Sequence, residues 1–539
     1  MNKNIFAISF GLCLLLAGML QFYCLDKLTP ALNLDEVVMG YDAYSILKTE
    51  RDQYGHFLPV YFQSHDDYKP PFIIYSQVLS IAILGLTDFA VRFPSAVFGL
   101  LAVVMTFLLT KELLGNKKAA LVAALLFAFS PWHLQFSRTA YEVGIQPFLT
   151  TTALYLFIKG IKSRGIWQGF FSGVFFGLGT HLYTASRVFV PLFVGVVGLL
   201  QLRDLLSNKK FLVWLAIGFL ILFIPTVYLF TTPAGQVRFK GTNIFNDPAA
   251  HSRNLSWQID DWLRRDRISA SLFHSEKLTY LPEILYGYFV HLRPDFIYLG
   301  NTDGSTNYVP KVGLEYLWEL PFLAAGFFYL FARSEKKPAI LLLSWILLAP
   351  VPASVTYGIP TSIRVAIILP ALQIVTAYGI VKIFRWKFIG AAILTLIVGI
   401  QLAYYLHMYY IHAPVERSQF WYPSYRQVAV DAKNFSEKYS QVIVSTSLDQ
   451  PQSFFLYYLK YDPATYLSVD GGTISGSYAE TRNHFGKFSF KPIKWEEMKN
   501  LQGTLFVGRP SEFPSDAPII KKYFYLNGKE EVYLVGRSI

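Results

Sequence analysis

The chain has 539 residues, 53% of them hydrophobic and 17% aromatic, with only 16% charged and a formal net charge of +12. A mean hydropathy of +0.35 is too high for a water-soluble globular protein of this size. The basic residues fall in small clusters between apolar stretches instead of one patch or stripe, which argues against nucleic acid and for a polytopic membrane protein.

The first apolar stretch, Ile5 to Leu25, carries no charge, is longer than a signal-peptide core and has no small-x-small pattern near its end, so it reads as an uncleaved first helix. Phe22 and Tyr23 stand where a lipoprotein site at Cys24 would need small residues. Cys13 and Cys24 fall on that one predicted helix roughly 16 Å apart, too far for a disulfide. Further charge-free stretches follow near 72–87, 93–110, 119–137, 143–158, 165–186, 188–202, 211–230, 317–332, 338–356, 365–381 and 388–408. From about 409 the pattern changes to short β-prone runs at 441–446, 454–459 and 504–508 between helix-prone segments, which predicts a small α/β domain over 409–539.

Sidedness follows from the basic residues. If 72–87 does not cross, Lys3, Lys111, Lys117, Lys118, Lys159, Lys162, Arg164, Arg203, Lys209, Lys210, Arg333, Lys336, Lys337, Lys382, Arg385 and Lys387 all face the cytoplasm; if it crosses, every cluster after Lys3 moves outside. The expected arrangement is therefore about eleven transmembrane helices in a domain over 1–408, with a cytoplasmic N-terminus and 72–87 lying along the outer surface. Loops 26–92 and 231–316 and the α/β domain then project outward.

The charges left over gather at the outer ends of spans: Asp35, Glu36, Asp42, Lys69, Arg92, Arg138, Glu142, Arg187 and Arg364. Ionisable groups beside hydrocarbon are costly unless paired, so such a cluster is a candidate site, and its cations suit a phosphate. Gly169, Gly173, Gly177 and Gly179 are spaced for close helix packing and not for nucleotide binding. His56, His65, His133 and His181 are scattered, reading as polar surface or headgroup-level residues, so no metal cassette or other cofactor is indicated, although an acidic loop leaves a divalent ion open. The Arg264, Arg265 and Arg267 group reads as a solvated surface. An enzyme acting on the outer side without nucleotide or redox centre needs a donor that arrives activated, such as a sugar on a polyprenyl phosphate.

The strings Asp35-Glu36, Gly40-Tyr41-Asp42-Ala43, Gly55-His56-Phe57-Leu58-Pro59, Lys69-Pro70-Pro71-Phe72, Val91-Arg92-Phe93-Pro94-Ser95 and Phe136-Ser137-Arg138-Thr139-Ala140-Tyr141-Glu142 resemble, in order, the first outer loop and beyond of protein O-mannosyltransferase-like glycosyltransferases. These belong to the C-type superfamily, together with the lipid A aminoarabinose transferases. The resemblance covers roughly the first third of the chain. It implies the C-type fold and an inverting transfer of a hexosyl or pentosyl group from a polyprenyl-phosphate sugar to a hydroxyl of a protein, lipid or glycan acceptor. It also implies that Asp35 is the general base, that Lys69 contacts the donor phosphate and that Glu142 matches a second-loop acid, where many relatives carry Asp.

The chemistry gives the same roles a physical basis. A carboxylate must take the acceptor's proton as the new bond forms, which suits Asp35, with Glu36 beside it and Glu142 as the further acid. The leaving phosphate gains charge, which suits Lys69, Arg92 and Arg138. Tyr41, Tyr141, Arg187 and Arg364 are candidate substrate contacts. Plainer readings compete: Asp35 or Glu36 as helix caps, Glu36 in an ion pair, Lys69 as an interfacial snorkel, the arginines as headgroup anchors and Tyr141 as a belt aromatic. At the level of the whole chain the rivals are a flippase for lipid-linked glycans and a noncatalytic scaffold; a flippase needs its charges near the midplane, not at one end.

Overall fold

The computed structural model describes residues 3–27, 30–65, 67–266, 268, 273–274, 276–300, 309–333, 336–384, 388–473 and 484–537; Arg267, Arg385 and Lys387 lie outside the described residues. In chain order, the helices that build the membrane body and the site are α1 (Lys3–Phe22), α2 (Leu34–Thr49), α3 (Pro71–Leu84), α4 (Asp88–Leu114), α5 (Lys117–Phe129), α6 (Pro131–Ser137), α7 (Gln146–Ser163), α8 (Ile166–Thr180), α9 (Ser186–Leu200), α10 (Lys209–Phe230), α11 (Glu319–Phe331), α12 (Lys337–Leu348), α13 (Leu369–Phe384), α14 (Phe388–His407), α15 (Tyr425–Phe435) and α16 (Pro451–Tyr458). The chain divides into two compact units, one of residues 1–22 and 95–406, the other of residues 23–94 and 407–539.

The first unit is helical and carries the membrane character. Among the described residues of the whole chain, six helices are long and apolar enough to cross a bilayer, or seven if α5 and α6, bent by 59° at their junction, count as one span. α3, α9 and α11 are apolar but shorter. Helices in lipid gain little from burying apolar surface against one another, so they associate where small residues let backbones touch. The glycine spacing of α8 serves this purpose: a Cβ on Gly173 would lie 2.2 Å from the Leu215 carbonyl oxygen of α10, and one on Gly218 would lie 2.2 Å from that of Phe170. Gly326 of α11 and Gly379 of α13 form a second seam of the same kind. α1 ends at Phe22, so Cys24 lies beyond the helix and not on it with Cys13; both thiols are free.

The second unit combines the first loop with a sheet. Its strands are β1 (Phe62–Ser64), β2 (Asp67–Lys69), β3 (Gln441–Val444), β4 (His484–Phe485), β5 (Phe488–Phe490), β6 (Thr504–Gly508), β7 (Ile519–Phe524) and β8 (Glu530–Arg537). β1 and β2 form a small antiparallel hairpin, and the other six order as β4-β5-β3-β6-β8-β7, with β3 parallel to both β5 and β6. The run at 441–446 forms a strand over Gln441–Val444, and the run at 504–508 is a strand throughout, as expected. The run at 454–459 is not: it lies in α16 and its C-cap, where Pro451 presets the first turn and Phe454, Phe455 and Tyr457 are buried. A short aromatic run has no periodicity of its own that separates strand from buried helix.

Candidate active site

The loop that follows α1 organises itself around the start of α2. Asn33 is its N-cap, accepting the Glu36 amide at 3.0 Å, while the Glu36 carboxylate accepts the Asn33 amide at 3.0 Å; this reciprocal capping box sets where the helix begins. Asp35 therefore occupies the second helical position, and both acids sit at the positive end of the helix dipole.

The two acids then diverge. Glu36 is fully buried and bidentate with Arg92, whose Nε donates to Oε1 and Nη2 to Oε2, each at 2.8 Å. The same guanidinium donates to the carbonyls of Leu25 (3.1 Å) and Ala31 (2.7 Å) and lies over the Trp421 ring. Arg92 thus ties the loop entry, α2 and the start of α4 together. Asp35 keeps 41% of its side chain exposed and meets the Lys69 ammonium at 2.9 Å. Lys69 is itself buried and also reaches Asp67 at 3.5 Å.

Local structure explains how Lys69 arrives there. The β1–β2 register pairs Lys69 with Phe62 and Asp67 with Ser64, so Asp67 and Lys69, two apart on one strand, share a face. Pro70 and Pro71 follow; lacking N–H groups they cannot extend the ladder, and Pro71 opens α3. Asp67 is absent from the charges that the sequence singles out, because its tie to Lys69 depends on 67–69 being a strand.

Asp42 and Tyr41 serve the scaffold of this unit. Asp42 is buried and accepts the Gln53 amide and side-chain N–H, both at 3.1 Å. Burial foremost, then the nearby Asp52 charge, pushes its carboxyl well above the usual range, against the Gln53 hydrogen bonds. Asp52 in turn accepts the amides of Tyr54 and His56 and contacts the His56 ring at 3.0 Å. Tyr41, expected as a substrate contact, is fully buried and donates to the Tyr461 carbonyl at 3.2 Å.

The remaining candidates belong to the first unit. Arg138, the C-cap of α6, is buried and donates to the Leu20 (2.5 Å) and Gln21 (3.2 Å) carbonyls at the end of α1. Glu142 opens a short 3-10 turn and is buried, as is Tyr141, which packs edge-on against Phe136. Arg187 is buried beneath the Phe230 ring, and Arg364 donates to Thr356 Oγ1 (2.5 Å) and the Tyr357 carbonyl (2.7 Å). His133 and His181 are interior residues, not surface ones: the first sits 3.0 Å from Gln21 Nε2, the second 2.7 Å from the Leu222 carbonyl. Arg264 and Arg265 are exposed, as expected.

Comparison with known proteins bears on the fold. The family model described as dolichyl-phosphate-mannose-protein mannosyltransferase matches residues 68–229, a segment that starts at the Lys69 strand. The structure is similar to that of ArnT from Cupriavidus metallidurans bound to undecaprenyl phosphate, with a TM-score of 0.55 and 14% identity over 99% of this chain and 98% of that one. It is also similar to the oligosaccharyltransferase AglB from Archaeoglobus fulgidus in complex with an inhibitory peptide and a dolichol-phosphate, with a TM-score of 0.52 and 14% identity over 94% of this chain and 69% of that one. An uncharacterized protein of Aquifex aeolicus is 31% identical over 106 residues, a match that spans 20% of this chain and 21% of that relative's length. The fold is therefore similar to that of these two proteins: a polytopic helical membrane body with a small C-terminal sheet domain.

Proposed function

We propose that the chain is an inverting membrane glycosyltransferase that moves a sugar from a polyprenyl-phosphate donor to an acceptor hydroxyl on the extracytoplasmic side. The observation that carries this reading is the Asp35–Lys69 pair: a half-exposed carboxylate at a helix N-terminus, 2.9 Å from a buried ammonium. In the reaction the acceptor oxygen bonds to the anomeric carbon while its proton passes to Asp35, and the bond from that carbon to the phosphate oxygen breaks. The phosphate leaves with its electron pair. Lys69 stabilises the charge that develops there, exchanging its looser 3.5 Å contact with Asp67 for a phosphate oxygen. Arg92 and Glu36 position α2 and do not touch substrate. The family segment and the lipid phosphates bound by the two similar structures support the donor class; protein, lipid and glycan acceptors all fit the same chemistry.

The test is transfer in proteoliposomes supplied with a polyprenyl-phosphate sugar. Asp35→Asn should cut turnover by roughly 10²–10⁴-fold with donor affinity nearly unchanged. Full turnover in that variant would remove Asp35 from the reaction.

A further inference from the structure

A second site lies in the first unit. An apolar cavity of about 390 Å³, within the size range of small-molecule sites, is walled by α1, α5, α13 and α14, through residues such as Leu121, Leu125, Phe384, Leu394 and Val398. Its few hydroxyls are satisfied internally: Ser9 donates to the Ile5 carbonyl (2.8 Å), Thr395 to that of Ala391 (2.8 Å) and Tyr316 to that of Phe129 (3.0 Å). Two wall atoms are not. Glu319 Oε1 and Trp318 Nε1 are buried without a hydrogen-bond partner, and Glu319 is only 2% exposed.

Behind this wall is a polar cluster. Gln373 Nε2 donates to Glu315 Oε2 at 2.7 Å and to Glu319 Oε2 at 3.1 Å, and Ser130 donates to Glu315 Oε1 at 2.5 Å. Among the described residues no cation pairs with either glutamate. Leaving a buried acceptor and a buried donor unmade costs several kcal/mol in such surroundings.

We propose that this cavity binds a neutral, hydroxyl-headed single-chain lipid, its hydroxyl donating to Glu319 Oε1 and accepting from Trp318 Nε1–H, with its chain along the apolar walls. The head group is selected by elimination. An ionised phosphate offers only acceptors and brings its charge to two buried carboxyl groups with no counter-cation among the described residues. An ammonium offers only donors and would leave the Trp318 N–H unmade. A hydroxyl answers both atoms. The site is independent of the transferase reading and differs in kind from any site for an anionic donor.

Photolabelling tests it on the full chain in nanodiscs. A long-chain alkanol carrying a diazirine should label residues 121–126 and 391–398 saturably, competed by unlabelled alkanol and at least roughly tenfold more weakly by the alkyl phosphate or alkylammonium of equal length. Leu125→Trp, which fills the cavity, should abolish labelling. Glu319→Ala should weaken it roughly tenfold. Should that variant not fold, Trp318→Phe keeps an aromatic ring at the wall, removes the N–H together with the pyrrole part of the indole, and should still weaken labelling severalfold. Non-saturable labelling, equal or better labelling by the phosphate or ammonium probe, or labelling untouched by Leu125→Trp and Trp318→Phe would each overturn the proposal.

Discussion

Asp35 and Glu36 are neighbours on one helix turn, each facing a cation, yet they live in different solvents. The Glu36–Arg92 pair has both side chains at 0% exposure, whereas in the Asp35–Lys69 pair the lysine is buried and the aspartate is 41% exposed. A buried bidentate pair with further carbonyl acceptors is a fixed joint, because removing one partner strands the other charge in a dry interior. A half-exposed carboxylate in contact with an ammonium can exchange that contact for a proton or a substrate. Burial, more than residue type or adjacency, separates the two pairs.

The comparison breaks most directly at Glu36. Glu36→Gln leaves Arg92 without its counter-charge and should cost about 3–5 kcal/mol of stability. Denaturation of the purified chain should show this, with activity lost in step with folding. A variant that folds normally but fails to transfer would move Glu36 from joint to reaction. Lys69→Ala sharpens the other half: because Asp35 can be resolvated, the stability change should stay below about 1 kcal/mol. Donor affinity should fall roughly 10–100-fold, read by titration with polyprenyl phosphate, since one charge-assisted contact disappears. Unchanged donor affinity would return Lys69 to an interfacial role.

The smallest effect concerns a carboxyl away from both pairs. Burial pushes Glu531 of β8 up to about 7. Its folded-state value lies above its unfolded one, so its contribution is fully present below about pH 4.5 and is lost as pH rises through about 7. Glu531→Gln should therefore raise the melting temperature by a few degrees at pH 8, with the gain shrinking to nothing near pH 4. A gain that is the same at both pH values would exclude titration as its cause.

Much of this arrangement was legible in the sequence, but unevenly. Composition gave the membrane class, and the glycine spacing of α8 gave its seam with α10, because both are local or additive properties. The order of tags around Asp35 and Lys69 pointed to the C-type fold. Burial was the hidden variable: nothing in the spacing shows that Arg92, Arg138 and Arg364 direct their guanidinium groups onto carbonyls, or that Tyr41 is buried against Tyr466. Asp67 was missed because its relation to Lys69 exists only once 67–69 is a strand. The helix at 451–458 was misread because its aromatic content mimics a strand, and the proline at its start carried the contrary signal.

The hairpin that ends at Lys69 acts as a ruler. In a ladder with a two-residue repeat, one extra residue between Asp67 and Lys69 would turn the lysine to the opposite side of the ribbon, while the two prolines behind it deny the strand room to slide and recover. The ammonium's position is thus metered by chain length as much as by chemistry. A one-residue change there would erase the pair with every functional side chain still in the sequence.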